Sequence, residues 1–150
     1  MKRGILYLAV LSIMLLQPVR RTDLGKLKPV ETVLLYEEDG LVVLITDTED
    51  WGRGATPAEA LRNMKETSSG IIYMDTADNL LVEEGAESWI SDMDEMLKGN
   101  VKICKVAGGV NLQLAATYLR IHTPDLTLKA WNPFVRVPVL VSRNGQLALK

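Results

Sequence analysis

Side chains able to do acid–base, nucleophilic or metal chemistry are sparse in this chain of 150 residues. It has one histidine, His122, and one cysteine, Cys104. A thiol attacks as the thiolate and needs a base or cation beside it. Cys104 instead stands in the apolar run Val101–Val106, the position of a small buried hydrophobe. His122 falls late in an expected helix, where its charge suits the C-terminus, and no nucleophile pattern accompanies it. A lone cysteine forms no internal disulfide and supplies no ordinary cysteine zinc site.

Asp75-Thr-Ala-Asp78-Asn79 offers oxygen ligands for a cation. It lacks the further acids and the distant Glu of a calcium loop, and reads as Asx-turn chemistry at a strand end. Glu83-Glu84 and Asp92, Asp94 and Glu95 read as a solvated helix face. Gly52-Arg53-Gly54 and Gly108-Gly109 each precede a helix, yet neither has Rossmann glycine spacing or the Gly-Lys-Ser/Thr of a P-loop. Both read as strand-to-helix turns needing flexible backbone. Trp51 and Trp131 lie near loops, where they serve either packing or an interface. No catalytic, cofactor-binding or metal-ligating residue is assigned, and no cofactor is expected.

The elements that would position these residues are better marked. Pro29 to Glu37 alternates as a strand, Asp39-Gly40 is a hairpin turn, and Leu41 to Thr46 returns as a nearly continuous apolar strand. Thr56-Pro57-Ala58-Glu59 combines an N-cap, a proline at the first helical position and a glutamate at the third. Thr67-Ser68-Ser69-Gly70 ends that helix. Ile71 to Met74 and Leu80 to Val82 are short apolar pieces. A second helix is expected from Glu84 to Lys98, with Trp89, Ile90, Met93, Met96 and Leu97 at helical spacing. Val101 to Val106 is a strand, Asn111 caps a third helix through His122, and Val137–Ser142 pairs with Gln146–Leu149 around Asn144-Gly145. The fold class is α/β: a mixed sheet with three helices packed on it, ordered ββαβαβα and followed by a C-terminal β-hairpin.

Lys2-Arg3 precedes an apolar run from Gly4 to Leu16, and Arg20-Arg21 follows it. This is the form of a signal sequence or signal anchor. No Ala-x-Ala site and no acylatable cysteine follow the run. The division is thus an N-terminal signal or membrane-anchor segment over 1–21, a linker over 22–28 and a single α/β domain over 29–150. Setting aside the four bases of residues 1–21, which hold no acid, leaves 13 of the 17 basic residues against 19 acidic ones. That balance repels phosphate backbones and argues against nucleic acid as a partner. The 24% of charged residues is too many for a multi-span membrane protein.

Gly54-Ala-Thr-Pro-Ala-Glu-Ala-Leu61, then Gly70-Ile-Ile-Tyr73 and Leu80-Leu-Val-Glu83, resembles the N-terminal domain of spore germinant-receptor C subunits across roughly residues 29–107. The resemblance implies an exported, membrane-bound protein that works by protein–protein assembly and has no active site to carry over. The leading expectation is a non-enzymatic interaction module of the cell envelope, extracytoplasmic and linked to sporulation or germination. It would hold to the membrane through residues 1–21 and associate with an envelope protein or with itself. A second expectation is an exported small-ligand-binding domain, with its pocket near Gly52–Gly54 or Gly108–Gly109. A third, a hydrolase using Cys104 or His122, requires those two to be accessible and close together.

Overall fold

The computed structural model describes residues 24–150, so the expected membrane segment over 1–21 lies outside the described residues. A 3₁₀ turn, Leu24–Lys26, leads into β1 (Leu27–Pro29), so the end of the expected linker is itself regular structure. β2 (Thr32–Glu38) and β3 (Leu41–Thr46) form the expected hairpin. Asp39 and Gly40 have φ of 52° and 75°, the two positive values that a type I′ turn requires.

β4 (Trp51–Gly54) precedes α1 (Pro57–Thr67), whose N-cap Thr56 accepts a hydrogen bond from Glu59 N at 3.3 Å. β5 (Ile71–Tyr73) and β6 (Asn79–Glu83) follow. Next come β7 (Lys102–Ala107), α2 (Leu112–Ile121), β8 (Val139–Arg143) and β9 (Gln146–Leu149). The main sheet has seven strands in the order β4-β3-β2-β6-β7-β8-β9. β2, β6, β7 and β8 run parallel, with antiparallel strands on either flank. β1 and β5 form a separate two-stranded parallel sheet. The fold is the mixed α/β sheet expected, closed by the C-terminal hairpin.

Parallel strands buried on both faces must be apolar on both. Leu80 and Val82 of β6 join Val33, Leu35 and Ile103 under α1 and the segment after β6. Leu81 joins Leu34, Cys104 and Leu140 under α2 on the opposite face.

Two expectations need correcting. Residues 52–54 are not a flexible turn but the edge strand β4, and neither Gly52 nor Gly54 has a positive φ. Their missing side chains let α1 lie against the strand: a Cβ on Gly52 would stand 2.2 Å from Ala60 O, and one on Gly54 2.5 Å from Glu59 Cβ. The expected α-helix over 84–98 is instead a 3₁₀ run, Glu87–Glu95, entered through Gly85 at φ 97°. It still buries Ile90 and Met93. This segment must travel back along the five-residue strand β6 before β7 can start parallel to it. At about 2.0 Å per residue a 3₁₀ run advances further than the about 1.5 Å of an α-helix, and so covers the strand length with fewer residues.

The small sheet is tied to the main one by a buried carboxylate. Asp50, 8% exposed, accepts from Lys28 Nζ at 2.9 Å, Thr48 Oγ1 at 2.8 Å and Ser68 Oγ at 2.7 Å. It thereby links β1, the β3–β4 turn and the end of α1. Burial pushes its carboxyl upward, but the hydrogen bonds from Lys28, Ser68 and Thr48 and the lysine charge outweigh it and hold the group below its ordinary value.

Two stability measurements check this account. Gly52→Ala should lower the free energy of unfolding in urea by about 1–3 kcal/mol or more, because the added methyl meets backbone rather than a flexible side chain. Asp50→Asn should cost about 1–3 kcal/mol near neutral pH. With the folded-state value depressed, the contribution of the Asp50 carboxylate is complete above the ordinary carboxylate range and fades as pH falls through the folded value. The gap between wild type and Asp50→Asn should therefore narrow in acid.

Candidate functional site

The register of the parallel strands sets three polar residues side by side. Thr32 of β2 pairs with Asn79 of β6, and Asn79 pairs with Lys102 of β7. Side chains two residues apart share a sheet face, and the next row on this face is the apolar Leu34, Leu81 and Cys104. The polar row thus lies at the strand starts, on the face that α2 covers.

Beside it α2 presents the small Ala116, and a cavity of about 240 Å³ remains, lined by Asn79, Lys102, Ala116, Leu119, Glu31 and Arg120 among others. Asp78, Asn100 and Thr123 are its exposed remaining walls. Arg120 and Glu31 pair through Nη2 and Oε2. The hydrogen bond and charge of Glu31 raise the Arg120 guanidinium above its ordinary value.

Backbone groups at this end of the sheet are already satisfied. Asp47 Oδ1 accepts from Glu31 N at 3.0 Å and Thr32 N at 3.1 Å. Glu31 O accepts from Asp78 N at 2.9 Å and Asn79 N at 3.1 Å, and Asp78 O accepts from Lys102 N at 2.8 Å. The side chains are different. Asn79 is only 6% exposed, yet none of the described residues hydrogen-bonds its side-chain amide. Thr32 Oγ1 beside it is buried without a partner. Buried polar atoms are nearly always paired, and Thr32 Oγ1 is the exception among the described residues, whereas the Asn79 amide beside it opens on the cavity, where a hydrogen-bonding guest can reach it.

A second hollow differs, because several of its polar groups bond one another. A groove of about 480 Å³ between β4 and the end of α1 includes Asp50, Ser68, Arg53 and Asn63. There Asp50 and Ser68 bond each other, and Asn63 Oδ1 accepts from Arg53 N at 3.2 Å.

The structure separates most residues singled out in the sequence. Cys104 is fully buried, and burial pushes its thiol up to about 12. His122 caps the exposed end of α2 and stacks on Tyr118 with ring centroids 4.4 Å apart. The conditions for a Cys104–His122 hydrolase are not met. Gly108, at φ 86°, turns the chain toward α2 and its N-cap Asn111. Trp51 is exposed on β4, and Trp131 packs against the core cluster on the face of the Glu87–Glu95 run, lining a hollow with Glu87 and Ser88. Of the Asp75–Asn79 group, Asp78 and Asn79 reach the cavity, and among the described residues no cluster of His, Cys, Asp or Glu could hold a metal ion.

Hollows do lie beside the two glycine turns singled out in the sequence, one lined by Trp51 and Arg53 and one by Val110–Gln113, and the cavity at Asn79 is a further one at the strand starts. Thr32 and Lys102 were overlooked because only strand order brings them to Asn79. A weak signal exists: Thr32-Val-Leu, Asn79-Leu-Leu and Lys102-Ile-Cys each begin a buried strand with a polar residue.

No known family model matches the chain, and neither a curated protein nor a solved structure does. One reactivity measurement follows from the site: the Cys104 thiol should ignore an aromatic disulfide reagent in the folded protein at pH 8 and react fully in denaturant. Rapid reaction without denaturant would contradict its placement.

Proposed function

We propose that this chain is a non-catalytic binding module of the cell envelope, held at the membrane through residues 1–21, which takes a small polar ligand in the cavity under α2. The observation that carries the binding half is Asn79, buried and open to the cavity with its amide unused by the described residues. The charged walls balance: Glu31 and Asp78 face Lys102 and Arg120. A net-neutral guest with several donors and acceptors suits that balance. A cavity of about 240 Å³ suits a guest the size of an amino acid or a simple sugar.

The envelope half rests on the basic, apolar, basic pattern of residues 1–21 and on the resemblance to germinant-receptor C subunits. That resemblance also supports a role in sporulation or germination. Among the described residues no helix is long and apolar enough to cross a membrane. Docking of a protein partner is a second reading, favoured by Trp51, 56% exposed on the edge strand β4.

The test is ¹⁵N NMR of the full chain titrated with glycine, L-serine, D-glucose and urea, with acetate and phosphate as charged comparisons. A neutral compound should move the Asn79 side-chain amide resonances. A guest at about 100 times its Kd should also stabilise the fold by about 2.7 kcal/mol. Asn79→Leu and the cavity-filling Ala116→Leu should each abolish both effects. Shifts confined to residues away from the cavity would overturn the assignment.

A further inference from the structure

The two-stranded sheet has two unlike faces. Its middle register pair, Lys28 with Ile72, points inward, Lys28 to Asp50 and Ile72 into the core. The flanking pairs, Leu27 with Ile71 and Pro29 with Tyr73, therefore share the outward face. All four residues are apolar or aromatic. Ile71 and Tyr73 are each 45% exposed, Pro29 is exposed and Leu27 half-buried. The rest of that sheet is fixed, because Tyr73 O accepts from Val30 N at 3.3 Å and Thr76 Oγ1 bonds both Val30 O and Tyr73 O at 2.9 Å.

We infer that this outward face rests on the lipid surface beside the anchor, with Tyr73 in the headgroup layer. The inference relies on the proposed membrane role of residues 1–21. If those residues sit in the bilayer, the chain between Arg21 and Leu27 can reach at most about 22 Å, six residues at up to about 3.6 Å each. β1 is the first strand after that tether, so the small sheet cannot leave the vicinity of the bilayer. A rigid face that joins aliphatic side chains to a tyrosine, whose ring is apolar and whose hydroxyl seeks water, matches the chemistry of a membrane interface.

The test uses the full chain in vesicles of phosphatidylethanolamine and phosphatidylglycerol. Ile71→Cys takes a nitroxide label selectively, because Cys104 is buried. Phe134→Cys, at a position 97% exposed in the loop before β8, provides the comparison. Spin-label collision rates are measured with oxygen, which concentrates in lipid, and with a water-soluble nickel chelate.

The expected result is an oxygen-to-nickel collision ratio several-fold higher at 71 than at 134, with Tyr73→Cys behaving like Ile71→Cys. Equal ratios in protein that sediments with the vesicles would overturn the inference while leaving the anchor intact. A label at 71 shielded from both reagents would show a protein contact in place of lipid, and would also overturn it. Protein that fails to sediment with vesicles would remove the anchor and this inference together, without touching the cavity.

Discussion

Strand β6 carries apolar side chains to both faces, and most of the architecture follows from burying it twice. Leu80 and Val82 need one cover and Leu81 another. Such a strand is stable only between hydrogen-bonded neighbours with a layer on each side, which β2 and β7, α1 with the 3₁₀ run, and α2 provide. The same strand begins with Asn79, a polar residue in nearly the same degree of burial. Its apolar run fixes the register that sets Thr32, Asn79 and Lys102 in a row, so the polar cavity is a by-product of core packing one residue further along. A shift of one residue would put Leu81 on the wrong face and scatter that row.

The two sheets divide the mechanical work differently. The main sheet is held by area, with apolar side chains interlocked on both faces. The small sheet, three residues per strand, has too little area for that and depends on polar ties to Asp50 and Thr76. One face of the small sheet is thereby held inward by charge, and the other is left apolar and open. The exposed apolar face of so short an element is offset by its inward face, where Lys28 meets Asp50 and Ile72 enters the core.

Turn and cap chemistry was legible in the sequence because it is local. Asp39-Gly40, Asn144-Gly145, Thr56-Pro57 and Asn111 all act through their own or adjacent backbone, and each marks the boundary expected of it. Features set by distant partners were not legible. β4 has glycines that read as flexibility because the helix pressing on them is invisible in a linear pattern. The Glu87–Glu95 run has apolar spacing that suits an α-helix, and only the length of the neighbouring strand favours the longer 3₁₀ path. The cavity was least legible of all. Its walls come from the starts of β2, β6 and β7 and the later turns of α2, and nothing short of the strand order assembles them.

The connection from α2 to β8 changes sides of the sheet. Ala115 and Leu119 belong to one core cluster, whereas Leu128 and Val137 belong to the other. On the way the chain is stapled to β7 twice: Ile103 N donates to Leu126 O at 2.9 Å, and Lys105 N donates to Pro138 O at 2.8 Å. Between those staples runs a mostly exposed stretch around Asn132–Arg136, including Phe134. Because each end is fixed to the same strand independently of what lies between, the length of this stretch has little influence on the placement of β8. It is the natural site for inserting a reporter domain or affinity tag, and the place where related chains are freest to differ in length.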